Sequence, residues 1–136
     1  MKLEDVIIVA TVGNTAITNS KDLDLGDITP CNHEEADTRM LLHAKHCGGA
    51  VIIKTVDTDV VIIAAASFVD TSLENLWIEI GAGQHKRYIP FHELVHSAPL
   101  NDDVCRVLPF FHATTGCDTV SAPLGIGKKK AWNTFV

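Results

Sequence analysis

No apolar run in this chain is long enough to cross a bilayer. The longest, VVIIAAA and DVIIVATV, fall far short of the roughly 20 residues a membrane helix needs. No basic segment leads into an apolar one in the manner of a secretory signal. No CxxC pair occurs among the four cysteines, Cys31, Cys47, Cys105 and Cys117, so they read as reduced thiols of an intracellular protein, with a nuclear location open to it. Repeats and low-complexity linkers are missing too. Positive charge is the scarcer sign: 11 Lys and Arg stand against 17 Asp and Glu, for a net charge of -6. That balance excludes a general nucleic-acid coat and leaves room for a local basic site.

What is present is a globular composition. Hydrophobic residues make up 46% and charged residues 21% of 136, enough for one compact domain and not comfortably two. Residues 5–12, DVIIVATV, are short and β-branched and read as a buried strand, with AITN as a hairpin partner after Gly13-Asn14. Residues 20–31 read as loop. NHEEADTRMLLHAKHC reads as a helix, with Asn32 as N-cap, Glu35 three positions on as in a capping box, and Gly48-Gly49 as the stop. Ala36, Met40, Leu41, Ala44 and Cys47 fall on one face of it. AVIIKT is a second buried strand, and DVVIIAAASF a buried helix capped by Asp57. LWIEIG and KRYIP form a hairpin around residues 81–83. FHELVHSA and NDDVCRVLPFFHAT are helices, the second kinked or broken at Pro109. A last helix starts near Gly127. The alternation predicts an α/β domain with a mostly parallel sheet, in which ligands bind beyond the carboxyl ends of the strands.

Six carboxylates gather at element boundaries. Glu34, Glu35 and Asp37 open a helix, Asp57 and Asp59 follow a strand, and Asp118 lies in a Gly-Cys-Asp turn. Converging ionised carboxylates repel and call for a cation. Mg²⁺ takes oxygen ligands through few carboxylates, and two such ions can activate a water and stabilise a phosphate leaving group. The plainer reading stays open beside this one: acids favour helix starts, Asp57 can be an N-cap only, and Asp118 a turn residue only.

EEADTRMLLHAKHCGGAVIIKTVDTDVVII resembles the central block of the flap endonuclease and five-prime nuclease superfamily, whose fold is PIN-like. GCDTVSAPLGIGKKKAW resembles that family's next block, a Gly-Asp turn followed by a helix-turn-helix element. The match covers roughly residues 33–63 and 114–135. The resemblance implies a single PIN-like domain over 1–136, corresponding to the later half of the family's catalytic domain and incomplete at its N-terminus, with residues 114–136 as the helix-turn-helix DNA contact. It implies a two-ion Mg²⁺ or Mn²⁺ site on Glu35, Asp37, Asp57, Asp59 and Asp118, with Glu34 as a near alternative to Glu35. Asp57, Asp59 and Asp118 would be catalytic in cutting phosphodiester bonds. It further implies that Gly125, Ile126 and Gly127 grip a duplex backbone through main-chain amides, often with a monovalent ion, while Lys128, Lys129 and Lys130 meet phosphates. DNA is the partner implied more than RNA. The chain departs from the family where its first strand is followed by Gly-Asn-Thr, with no acid there, and where Ser121 stands in place of a further acid. A catalytically inactive, nuclease-derived DNA-binding or protein-interaction module is therefore the alternative. The same phrases also resemble mobile-element-related animal proteins, which adds no chemistry.

Other constellations fare worse. Zinc on Cys31, His33, His43, His46 and Cys47 fails because the two ends of the helix lie about 20 Å apart at 1.5 Å per residue. GIGKKK lacks the P-loop spacing, and GAGQHK reads as a hairpin turn. Cys117 with His112 has no recognisable thiol activation. Trp77, Trp132, Phe110 and Phe111 sit at apolar positions and read as core.

Overall fold

The computed structural model describes residues 6–33, 35–117, 121, 125 and 127–135. Among the described residues, two small sheets and five α-helices make up a mixed α/β fold. Strands β1 (Val9–Val12) and β2 (Thr15–Thr18) pair antiparallel across the Gly13-Asn14 turn, where Gly13 has φ +61°. Then come α1 (Ala36–Cys47), β3 (Ala50–Thr55) and α2 (Thr58–Phe68). They are followed by β4 (Asn75–Ile80), β5 (Arg87–Pro90) and the single turn α3 (Phe91–Leu94). Helices α4 (Asp102–Thr114) and α5 (Lys128–Phe135) complete the chain.

The expectation of a mostly parallel sheet needs correction. The second sheet has the order β3-β4-β5, with β3 and β4 parallel and β4 and β5 antiparallel. Connection length decides this. A parallel pair needs a crossover, which α2 supplies between β3 and β4, whereas residues 81–86 can only turn the chain back. The first strand is not buried either: Ile7 and Ile8 are 60% and 52% exposed, and β1 belongs to a separate two-stranded hairpin.

The core lies where α2 packs between the sheet and α4. Val60, Ala64 and Phe68 of α2 meet Ile53, Leu76 and Ile78 of the sheet, with Phe91, Val95, Cys105 and Leu108 closing it. Val60, Ala64 and Phe68 recur at helical spacing, so one stripe of α2 is wholly enclosed. Truncating Ile78, which is fully buried, to alanine removes about 2–5 kcal/mol by loss of transfer energy plus a cavity.

Helix α1 begins later than the capping-box pattern predicts. Glu35 is its N-cap, with extended backbone, and Asn32 lies outside. The reason is local competition. A helix begun at Asn32 would offer the His33 carbonyl to the Asp37 N–H, but that carbonyl accepts from Arg39 Nε at 2.6 Å. The same guanidinium donates to the Gly13 carbonyl at 2.7 Å, tying α1 to the turn of the first hairpin. Thr11 Oγ1 and His43 Nε2, 2.9 Å apart, add a second tie. Helix α4 runs through Pro109 without ending there.

Candidate nucleic-acid and metal site

β3 ends at Thr55, and the next residues are shaped by two short hydrogen bonds. The Asp57 N–H donates to Thr55 Oγ1 at 3.0 Å, and Asp57 Oδ1 accepts the Asp59 N–H at 2.8 Å. Asp57 is thus the N-cap of α2 that the sequence predicts. Beside it, Glu35 and Asp37 open α1. Packing of α1 against α2 brings the two acidic starts into electrostatic range. Burial pushes the Asp37 carboxyl above the usual aspartate range, and the charges of Asp57, Glu35 and Asp59 push it the same way. The charges of Glu35, Asp57 and Asp59 thus reach Asp37. Glu34 and Asp118 lie outside the described residues, as does Ile126.

Across from Asp59 stands His112, near the end of α4. Its Nε2 is 2.7 Å from Asp59 Oδ1, and the Lys128 ammonium is 3.0 Å from its Nδ1. The imidazole is mostly enclosed, with its side chain 15% exposed against 32% for Asp59. Lys128 opens α5, and Lys129 and Lys130 follow it, all exposed. The Gly127 carbonyl accepts the N–H groups of Lys130 and Ala131, closing the first turn. Gly125 has φ +79°, a backbone region in which glycine is favoured. Further along the same face, helix α5 is held by aromatic contacts: Phe111 lies 5.4 Å from Trp132 and 5.0 Å from Phe135, ring to ring. Trp132 is half-buried against the core, Phe111 and Trp77 are half-buried outside the core cluster, and Phe110 is 71% exposed, against expectation.

Sequence reasoning missed the role of His112, which it weighed only as a partner for Cys117. A signal was present. Cys105, Leu108 and His112 stand at i, i+3 and i+7, so His112 falls on the enclosed stripe of α4, where an imidazole needs a partner.

One Asp57 oxygen caps α2 and one Asp59 oxygen meets His112. Among the described residues, no group of three or more His, Cys, Asp or Glu side chains is arranged to hold a metal ion. The described donors thus do not complete a metal cage. A cavity of about 590 Å³ lies elsewhere, lined by Leu41, Leu42, Ile63 and Arg106 among others. Cys31, Cys47 and Cys105 are free thiols, and no helix among the described residues is long and apolar enough to cross a membrane. No family model, curated protein or solved structure matches this chain.

Proposed function

We propose that this chain is a nuclease-like domain of PIN-like type that acts on or binds the phosphodiester backbone of nucleic acid, DNA in preference to RNA. The observation that carries the reading is one juxtaposition: the acidic start of α2 and the basic start of α5 meet through the Asp59–His112–Lys128 chain, with Asp37 of α1 in the field of Asp57 and Asp59. A phosphodiester needs cations for its own charge and, for hydrolysis, a site that attracts divalent ions. In this reading Gly125 to Lys130 are the phosphate grip, part of a helix-turn-helix element, with a monovalent ion at the Gly-Ile-Gly turn. Glu35, Asp37, Asp57 and Asp59 would draw Mg²⁺ or Mn²⁺, together with Asp118. Asp37 lies in the field of Asp57, Glu35 and Asp59, and a cation would relieve that part of its perturbation that is repulsion and not burial.

A specific contact favours a second reading. Asp59 is already held by His112, and the described acids do not form a complete cage. The domain then binds the backbone without cutting it. A labelled duplex incubated with Mn²⁺ decides between them. The first reading expects cleavage that is lost in the Asp57→Asn, Asp59→Asn double variant. Duplex binding with no cleavage selects the second. A wild-type protein that neither binds nor cuts a duplex contradicts both.

A further inference from the structure

We infer that His112 is a positioning residue: its ring, fixed by Asp59, holds the Lys128 ammonium where a nucleic-acid phosphate is received. The inference deepens the backbone-binding reading and rests on it. An ammonium carries donors and no lone pair, so at 3.0 Å from Lys128 Nζ the His112 Nδ1 must be an acceptor. The single ring proton then sits on Nε2, which donates to Asp59 Oδ1 at 2.7 Å. That order of donors aligns three elements. Asp59 is fixed at the start of α2, His112 lies on the enclosed stripe of α4, and Lys128 opens α5.

The consequence for binding is preorganisation. A free lysine side chain loses considerable rotamer freedom when it meets a phosphate. Lys128 has part of that freedom removed beforehand, and an ammonium using one of its three donors on His112 keeps two for phosphate oxygens. Lys129 and Lys130 are one and two residues on and so point to other sides of α5, away from the ring that Lys128 meets. The three lysines are therefore not equivalent, and His112 distinguishes Lys128 from its neighbours.

The experiment is a double-mutant cycle on duplex affinity at fixed salt. His112→Phe is expected to weaken binding by about tenfold, equal to about 1.4 kcal/mol. Lys128→Ala is expected to act similarly, and the pair together to weaken binding no more than Lys128→Ala alone. Lys129→Ala combined with His112→Phe should add independently. His112→Gln, which keeps an acceptor, should bind more tightly than His112→Phe and serves if the phenylalanine variant does not fold. Nitrogen NMR of the wild-type ring should find the proton on Nε2. Wild-type duplex binding that His112→Phe leaves unchanged, or additive effects at 112 and 128, overturns the inference alone. A wild-type protein that does not bind duplex removes the reading beneath it, and the inference falls with it.

Discussion

Asp57 caps α2, and an asparagine can do the same with a neutral oxygen. Asp57→Asn should therefore keep stability close to wild type while removing one charge from the cluster. Asp57→Ala should lose about 1 kcal/mol, read as a lower urea midpoint. Finding the two variants equally unstable would mean that the charge, not the cap, holds the turn. Glu79 offers a pH test away from the site. It lies on β4 with its side chain only 12% exposed, 2.8 Å from the Lys86 ammonium. The Lys86 hydrogen bond, with help from Tyr88 and Lys54, lowers its carboxyl below the usual glutamate range. A lowered folded-state pKa gives stability that is present above the unfolded value near 4.5 and lost as pH falls through the lowered one. Glu79→Gln should therefore destabilise the protein at pH 7 and converge with wild type in acid, as followed by urea unfolding. Neither Glu79 nor His112 was legible from the sequence as a partnered, enclosed polar group. Their partners lie on other strands and helices, and only folding brings them together.

Among the elements, those set by short-range chemistry were legible. β3 and the Asp57-capped α2 fall where the β-branched run, the Asp-Thr-Asp turn and the apolar stripe place them. The antiparallel turn of β4 into β5 was legible too, through its glycines. Where a distant group intervenes, local pattern fails. The start of α1 is moved by Arg39, which takes the His33 carbonyl and reaches Gly13 of the first hairpin. The β-branched run before Gly13 reports strand propensity and not what covers the strand, so β1 reads as buried and is largely exposed. Pro109 does not break α4: the helix continues to Thr114 and packs against α2. An interior proline still forfeits the hydrogen bond to the Cys105 carbonyl and crowds it. Pro109→Ala should then raise the thermal midpoint, by a stabilisation of up to about 3 kcal/mol. A lower midpoint would show that the proline-adapted backbone is needed to present the packed face of α4.

Across the whole molecule, a net charge of -6 and a nucleic-acid partner are compatible only if charge is segregated. Segregation is what the fold produces: carboxylates at the starts of α1 and α2, ammonium groups at the start of α5, and one imidazole between them. Binding should then depend strongly on ionic strength and little on base sequence, because phosphate contacts release counterions without reading bases. The most direct measurement is duplex affinity against salt for wild type and for the Lys128→Ala, Lys129→Ala, Lys130→Ala triple variant. Each phosphate contact contributes about 0.9 to the slope of log affinity against log salt, so the triple variant should be flatter by about 2 to 3. Parallel slopes for the two proteins would contradict the account, because the start of α5 would then meet no phosphate.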